Sequence, residues 1–387
     1  MDEQRMVFSH YTERGWTVDN LWHIFTDFYG GQYAPLAFLS YLVLYAGFGY
    51  DPFYFHMFSL LLHIGCVCLV WKLISSLLRV HGGVSEKQIL YVNFITTLLF
   101  AVHPINVEAV AWISALKVLL YAFFYLLGLL CYLRYIRTSK IFYYVLTIGC
   151  FLCSFWGKEQ AVTFPLALLI VDWFTNRNMK NLEVWSEKMS FLIMAFFFGI
   201  ITVLSQGKGP YEMIFPLYQR LLFGCFALVE YITKSLLPVN LNFFYPFPIV
   251  LGEEPPLHYY LYPVVLLFLM GWIIAYRNNR YLVFGVLLFL VNLLFSIHLF
   301  NMSRHAIVAD RYMYLSYVGI AFLIANGIWW LRKRLSYFKA ALVFLFFYCF
   351  FLSVYTFHYT KKWENTTMVK KYTKEVLEKR LNGSNHL

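Results

Sequence analysis

Charged residues are scarce in this chain. Asp, Glu, Lys and Arg make up 13% of its 387 residues and apolar residues 61%, whereas soluble proteins average about 25% and roughly 45–50%. So few charges cannot cover so much apolar surface in water, and this excludes a soluble fold. Aromatic residues reach 21%, which suits a protein with two lipid–water interfaces. The composition predicts an all-α, polytopic membrane helix bundle surrounded by membrane lipids.

Cysteine motifs and internal repeats are also missing. All seven cysteines lie within apolar stretches, and Cys66 and Cys68 have neither the spacing of zinc ligands nor that of a redox pair. We therefore predict buried core thiols rather than a disulfide framework or a zinc site. The chain also lacks the inverted repeats that are typical of many transporters.

The net charge of +11 comes from basic residues in short clusters between apolar runs. Such clusters mark cytoplasmic loops, because positive charge is retained on the inner side of a membrane. We therefore expect no nucleic-acid partner. The predicted cytoplasmic loops contain Arg79 and Lys87; Arg134, Arg137 and Lys140; Arg177, Lys180 and Lys188; Arg277 and Arg280; and Arg332, Lys333, Arg334 and Lys339.

About ten apolar runs are predicted to span the membrane, although several are shorter than the ~20 residues of a perpendicular span. They are 52–71, 89–102, 118–133, 141–157, 160–171, 191–206, 259–276, 281–303, 312–331 and 340–360. A further run, 221–237, contains Glu230 and lies within 210–263, which holds eight of the 12 prolines. This proline density favours broken, in-plane or re-entrant helices there.

The basic loops also divide the chain into three segments. Residues 1–51 form an outer N-terminal segment with amphipathic helices, 52–360 form a transmembrane module with a Pro-rich outer segment at 207–258, and 361–387 form a short basic tail. No signal peptide or span precedes residues 1–51 to carry them across the membrane. Either a first helix lies ahead of Met1 or the topology is inverted. We favour the helix, which gives eleven spans and a cytoplasmic start.

Five groups of polar residues fall at the outer membrane boundary in this topology: Asp2 and Glu3; His103 and Glu108; Lys158 and Glu159; Tyr245; and Arg304 with Asp310, Arg311 and Tyr312. Ionisable groups at this depth are costly and often functional. Each group also has a structural alternative, such as a solvated terminus, a helix cap, a turn with snorkelling side chains or a self-neutralising pair. As a set they suit chemistry on a lipid-linked phosphate, in which cations stabilise the departing phosphate and a carboxylate deprotonates an acceptor hydroxyl.

Several motifs recur in a specific order along nearly the whole chain. They run from Gly31 through Leu36 to His63, from His103 through Ser114 to Tyr135, from Lys158 to Asp172, from Leu237 to Pro246, and from Ala309 to Leu315. In this order they resemble polytopic glycosyltransferases of the GT-C type, in particular the protein O-mannosyltransferase-like proteins that often carry C-terminal tetratricopeptide repeats. The resemblance implies a sugar, such as mannose, delivered on a polyprenyl phosphate. It also implies transfer with inversion, on the outer or luminal face, to a hydroxyl of a protein, glycolipid or glycan.

The resemblance further implies roles for single residues. In the family, an acidic pair at the start of the first outer loop supplies the catalytic carboxylate, which assigns the base to Asp2 with Glu3. The implied substrate-binding residues are His103, Glu108, Lys117, Lys158, Glu159, Tyr245, Arg304, Asp310, Arg311 and Tyr312, of which Lys117, Lys158, Arg304 and Arg311 would contact phosphate. The resemblance leaves room for a divalent metal.

This chain departs from the family pattern in two places. A charged element that often follows the His-Pro…Glu motif is reduced to Lys117, and 366–381 is predicted to form one amphipathic helix where the family has its repeat array.

Two rival functions stay open at this stage. A transporter or flippase of a lipid-linked saccharide would need inverted repeats and paired broken helices at mid-membrane, whereas the polar groups here crowd one boundary. A non-catalytic remnant or assembly subunit is the other rival. Compact loops and the lack of a disulfide pattern favour a bacterial inner membrane, and in a eukaryote the same protein would lie in the endoplasmic reticulum membrane.

Overall fold

The structure is a computed structural model that describes residues 6–206, 215–298 and 306–384. Within these ranges the regular elements are helices, apart from two isolated β-bridges that join Tyr29 to Gln32 and Tyr245 to Val308. The helices are α1 His10–Glu13, α2 Val18–Thr26, α3 Pro35–Phe48, α4 Pro52–His81, α5 Glu86–Val102, α6 Val107–Ala111, α7 Leu116–Thr138, α8 Ile141–Gly157, α9 Phe164–Phe174, α10 Leu182–Gln206, α11 Leu217–Leu236, α12 Leu261–Ala275, α13 Arg280–Leu293, α14 Met313–Trp330, α15 Leu335–Thr360 and α16 Thr366–Ser384.

Six of the described helices are long and apolar enough to cross a membrane, so the chain is an integral membrane protein with an all-α fold, as predicted. They are Pro52–His81, Ile113–Thr138, Leu182–Ser205, Leu257–Ala275, Asp310–Lys333 and Leu335–Trp363. A seventh span results if Glu86–Val102 and Pro104–Ala111, which meet at a bend of 50°, are one broken span. Three shorter helices, Pro35–Phe48, Ile141–Gly157 and Arg280–Leu293, are also apolar. The count of ten to eleven spans stays a prediction.

The local sequence explains where the long helices begin and end. Helix α4 begins at Pro52, a favoured first residue, and the Asp51 side chain accepts a hydrogen bond from the Phe53 N–H. It ends at Gly82, whose φ of 76° favours glycine. Within 221–237 the structure shows one unbroken helix, α11, because Pro216 and Pro238 lie just outside it rather than within it.

Helix α7 is the central helix of the bundle, whereas α12 lies at its edge. In the Ile113–Thr138 span 67% of the apolar window is buried, against 6% in Leu257–Ala275. The N-terminal segment packs against the start of α7, where Tyr41 and Phe38 of α3 join one apolar cluster with Leu116 and Leu120. Helix α3 is therefore apolar and partly buried, and it holds the described part of the N-terminal segment on the end of the bundle where α7 begins.

Helices α13 and α14 cross in close backbone contact at a pair of glycines. A Cβ atom on Gly319 would lie 2.5 Å from the Gly285 carbonyl oxygen and 2.7 Å from the Phe289 nitrogen. Small residues permit such contact between membrane helices, where dispersion and weak polar contacts replace the hydrophobic effect. This crossing fixes the start of α14, and with it the preceding turn Asp310–Tyr312.

A buried ion network occupies the end of the bundle where α7 finishes. The Lys188 ammonium lies 2.5 Å from Asp172, and Arg177 lies 3.2 Å from Asp172 and 2.6 Å from Glu187. Lys188 is therefore a buried member of helix α10 rather than the loop charge that the sequence analysis assumed. Two carboxylates neutralise the two cations, and the Tyr132 hydroxyl donates a hydrogen bond to Asp172, so this network has the features of a structural clamp.

The seven cysteines are free thiols, as predicted, but not all of them are in the core. Cys66, Cys150 and Cys349 are buried, whereas Cys68 is exposed on the apolar surface of the bundle. An exposed thiol is compatible with an apolar helix here because the surface of these spans faces lipid rather than water.

Candidate active site

Three short 3₁₀ turns bring polar side chains together at the end of the bundle where α7 begins. The turns are Pro104–Asn106, Glu159–Thr163 and Asp310–Tyr312. Pro104–Asn106 and α6 both pack against Asp310–Tyr312. Lys117 lies in the first turn of α7, and Tyr132, which belongs to the ion network, lies 15 residues further along the same helix. This separation corresponds to about 22 Å along the helix axis. The two charged regions are therefore at opposite ends of the same helix.

Glu108 and Arg311 form a buried ion pair that joins α6 to the turn before α14. The Arg311 guanidinium lies 2.5 Å from Glu108 Oε1, and the Arg311 backbone N–H donates to Oε2 over 2.7 Å. Glu108 is fully buried, whereas the Arg311 side chain keeps 20% of its surface exposed. The guanidinium carbon also lies 5.1 Å from the ring centroids of both Trp112 and Tyr312. Arg311 is thus held in one position while part of it stays accessible.

Two lysines complete a cation cluster, by which we mean Lys117, Lys158 and Arg311. Lys158 is buried, and its Nζ lies 4.7 Å from the centroid of the Tyr312 ring. Lys117 donates a hydrogen bond to the Gln32 side-chain oxygen. The charges of Lys158 and Arg311 act on the Lys117 ammonium, as does that of Glu159.

Among the described residues, two carboxylates, Glu108 and Glu159, lie near the three cations of the cluster. A concentration of positive charge of this kind favours the approach of an anion. A phosphate, with several acceptor oxygens, matches such a cluster of donors.

Asp310 and Tyr245 belong to a neighbouring network that positions the Asp310–Tyr312 turn. The Tyr245 hydroxyl donates to both Asp310 carboxylate oxygens at 3.0 Å, and it accepts hydrogen bonds from the Lys234 ammonium and the Asn242 N–H. Burial and the Asp310 charge raise the pKa of Tyr245, so the hydroxyl keeps its proton and remains a donor. These contacts correspond to a structural role for Tyr245, because they attach the Pro-rich outer segment to the Asp310–Tyr312 turn.

His103 also adopts the structural alternative, that of a helix cap. Its Nδ1 accepts a hydrogen bond from the Ile105 N–H at the start of the Pro104–Asn106 turn. The ring is buried and lies 4.2 Å from the ring of Tyr317. These contacts fix the bend between α5 and α6 that presents Glu108 to Arg311.

Three predicted site residues, Asp2, Glu3 and Arg304, lie outside the described residues. Met6 is the first described residue, and the two that follow it, Val7 and Phe8, line a cavity of about 290 Å³. Trp112 lines the same cavity. Because Trp112 also lies next to Arg311, the cation cluster and this cavity are neighbours.

The structure adds residues that the sequence analysis did not select as site residues. Gln32 holds Lys117, Trp112 flanks Arg311, and Lys234 supports Tyr245. Gln32 and Trp112 fall within the motifs that carry the family resemblance, so these motifs could have indicated both residues. Lys234 lies four residues after Glu230 on α11 and pairs with it at 3.5 Å, a spacing that indicates an ion pair but no site.

A metal has no evident place among these residues. In the ranges 6–206, 215–298 and 306–384, no group of three or more His, Cys, Asp and Glu side chains could hold a metal ion. Of the described acidic side chains, Glu108 pairs with Arg311 and Asp310 accepts hydrogen bonds from Tyr245. We therefore derive no step of the chemistry through a divalent metal.

The fold and the site define an integral membrane protein with a cluster of cationic side chains at one end of a helix bundle. Over nearly half of its length the chain is similar to protein O-mannosyl-transferases of animals, which confirms the family resemblance. It is 32% identical to "Protein O-mannosyl-transferase TMTC2" of Mus musculus over 189 residues, 33% to that of Homo sapiens over 189 residues, and 28% to "Protein O-mannosyl-transferase Tmtc3" of Drosophila melanogaster over 172 residues.

These alignments cover 44%, 44% and 40% of this chain but only 21%, 21% and 18% of the three relatives. The chain thus spans about a fifth of the length of the curated relatives that it matches. No family model matches the chain. No solved structure matches it either.

Proposed function

We propose that this chain is a GT-C type membrane glycosyltransferase that moves mannose from a polyprenyl phosphate to a hydroxyl of a protein, with inversion. The names of the relatives support mannose as the sugar and protein as the acceptor. The family resemblance supports the lipid-linked donor and the inverting displacement. The arrangement of basic loops supports an extracytoplasmic reaction, in the periplasm for a bacterial inner membrane or in the lumen for the endoplasmic reticulum.

The cation cluster is the observation that carries this proposal. Lys117, Lys158 and Arg311 come from three distant parts of the chain and converge at one end of the bundle. A prenyl phosphate that departs from a sugar gains negative charge on its oxygens. Preorganised cations at that position lower the barrier, because they stabilise charge that develops in the transition state. Such a leaving group needs no general acid.

Each described residue then has a distinct part in the chemistry. Lys117, Lys158 and Arg311 bind the phosphate oxygens, and Glu108 positions Arg311 through two hydrogen bonds. Gln32 positions Lys117 through one hydrogen bond, which the Gln32 side-chain oxygen accepts from the Lys117 ammonium. The acceptor hydroxyl loses its proton to a carboxylate on the opposite side of the sugar, which we assign to Asp2 with Glu3 from the family resemblance.

A donor comparison tests the proposal. The full chain, reconstituted in liposomes, is given a threonine-containing peptide and either polyprenyl-phosphate mannose or a nucleotide-linked mannose. We expect mannosylated peptide from the lipid-linked donor at least about 100-fold faster than from the soluble donor, because differential transition-state binding depends on the correct leaving group. Equal rates would contradict the lipid-linked donor. Movement of the lipid across the bilayer without peptide mannosylation would support a transporter instead.

A further inference from the structure

The cavity of about 290 Å³ beside the cation cluster is lined mainly by apolar and aromatic side chains, among them Phe8, Phe55, Trp112, Ile113 and Trp363. None of the described residues that line it is a lysine or an arginine. The one charged side chain among these described lining residues is the carboxylate of Glu364. The cation cluster therefore attracts the phosphate to its own side of Trp112 and leaves the cavity for a group without negative charge. Its size exceeds what a water molecule needs and suits one large side chain.

The lining indicates which uncharged group binds. A hexose exposes several hydroxyls, and a sugar subsite needs several side chains that donate to or accept from them. Nine of the fifteen described residues that line this cavity are apolar, and the polar ones are Tyr50, His56, Ser114, Glu364, Asn365 and Thr366. Two of these six already bond within the protein, since Tyr50 donates to Glu13 and Asn365 accepts from the Met368 N–H. An apolar side chain gains from burial in such a cavity. The polar side chains can serve the backbone N–H and C=O groups of the segment that carries it.

We propose that this cavity binds an apolar or aromatic side chain of the acceptor polypeptide, next to the residue whose hydroxyl receives the sugar. This inference rests on the proposed function. It adds that the enzyme selects acceptors by the residue that flanks the hydroxyl.

The distances allow one residue of the acceptor to lie in the cavity while a neighbouring residue lies at the cation cluster. The Arg311 guanidinium carbon lies 5.1 Å from the centroid of the Trp112 ring, and Trp112 lines the cavity. Successive residues of an extended peptide are about 3.3–3.6 Å apart. A residue one or two positions from the one in the cavity therefore reaches the cation cluster, where the donor phosphate and its sugar would be bound.

The polypeptide segment that follows α15 forms one wall of the cavity, and it offers a matched pair of variants. Thr366, in the first turn of α16, lines the cavity, whereas Met368 is exposed and lies outside the lining. Thr366→Trp places an indole into the cavity. Met368→Trp adds the same ring two residues further on without filling it.

The experiment measures kcat/KM for two peptides that carry the same threonine, one with leucine and one with alanine at the flanking position. We expect wild-type protein to prefer the leucine peptide by at least about tenfold, the effect of a hydrophobic pocket on substrates that differ by a few methyl groups. Thr366→Trp should reduce the preference to about twofold or less, because it raises the KM of the leucine peptide more than that of the alanine peptide. Met368→Trp should keep the wild-type preference.

Three results would overturn the inference. They are no preference in the wild type, the wild-type preference in Thr366→Trp, or loss of the preference in Met368→Trp as well. If Thr366→Trp does not fold, Phe8→Ala replaces it, because it enlarges the cavity and should shift the preference towards a tryptophan at the flanking position. Transfer of mannose to both peptides without discrimination would leave the proposed function intact. The lack of transfer to any peptide would overturn that function and this inference with it.

Discussion

Replacing Lys158 by methionine is expected to lower kcat for sugar transfer by about 10²–10³-fold, the usual cost of removing one group that stabilises an oxyanion in a transition state. Lys158 is buried next to the Tyr312 ring, so water cannot easily replace its charge at the phosphate. Methionine keeps the length and the apolar part of the side chain but not the ammonium. The donor binds in both the ground state and the transition state, whereas charge on the leaving phosphate develops only in the latter. We therefore expect kcat to fall more than KM rises.

Lys180→Met is the matched control for this prediction. Lys180 is exposed and belongs to a loop that the sequence places on the cytoplasmic side. This variant should transfer mannose at the wild-type rate. Wild-type kcat and KM in a folded Lys158→Met protein would show that Lys158 does not meet the phosphate. A rise in KM without any change in kcat would mean that Lys158 binds the ground state and the transition state equally, which would contradict its role in stabilising the leaving group.

Replacing Glu108 by methionine is expected to lower the free energy of unfolding by about 3–5 kcal/mol, since it leaves a buried partner charge uncompensated. Glu108 is fully buried and accepts two hydrogen bonds from Arg311, one from the backbone and one from the guanidinium. Without the carboxylate, the Arg311 backbone N–H and part of the guanidinium lose their partner in a site with little water. The turn before α14 should loosen, and sugar transfer should fall with it.

The double variant Glu108→Met with Arg311→Met separates stability from activity. It removes both charges, so most of the lost stability should return, because apolar replacements of a buried ion pair are often tolerated. Transfer should stay low, since the phosphate still lacks Arg311. The measurement is thermal unfolding in detergent together with the transfer rate. Full activity in the double variant would remove Arg311 from the chemistry.

Glu86→Met is the control for the Glu108 prediction. Glu86 pairs with Arg79 at 3.1 Å, but both side chains are largely exposed. Exposed pairs of this kind contribute less than about 1 kcal/mol. A similar loss of stability in Glu86→Met and Glu108→Met would indicate that burial does not set the energy of the Glu108–Arg311 pair.

Composition and hydropathy were sufficient to predict the all-α membrane fold and most of its long helices, because apolar runs satisfy their backbone hydrogen bonds as helices within lipid. The bounds were less accurate, since in the described part of the run 281–303 only Arg280–Leu293 is helical and the run 160–171 begins within the 3₁₀ turn Glu159–Thr163. The run 366–381 was also correctly predicted as one helix, which the structure extends to Thr366–Ser384. Helix α3 was missed as an apolar helix, since Pro35–Phe48 is shorter than a full span and follows polar turns. Patterns within one segment cannot show that α3 packs against the start of α7.

The candidate site could be predicted as a set of residues but not as a set of contacts. Glu108 and Arg311 were both selected, yet nothing in the sequence pairs residues that are 203 positions apart. Asp310 and Arg311 are adjacent, and the sequence allowed them to neutralise one another. The structure instead directs Asp310 to Tyr245 and Arg311 to Glu108.

The opposite error occurred for Lys188, which the positive-inside rule counted as a loop charge. The rule considers only the position of a residue between apolar runs. It cannot detect that helix α10 begins early and carries Lys188 into contact with Asp172. Ion pairs between distant helices follow from packing, and a single sequence carries no direct signal for them.

The binding of polyprenyl phosphate tests the central claim most directly, since it requires neither the acceptor nor the catalytic base. The central claim is that Lys117, Lys158 and Arg311 hold the phosphate of a lipid carrier. We expect the wild-type protein to bind polyprenyl phosphate at least about tenfold more tightly than the uncharged polyprenol, which corresponds to about 1.4 kcal/mol. The Lys117→Met/Lys158→Met double variant should lose most of this preference, because Arg311 alone remains of the three cations. Equal affinity for the two lipids in the wild type, or an unchanged preference in the double variant, would contradict the claim.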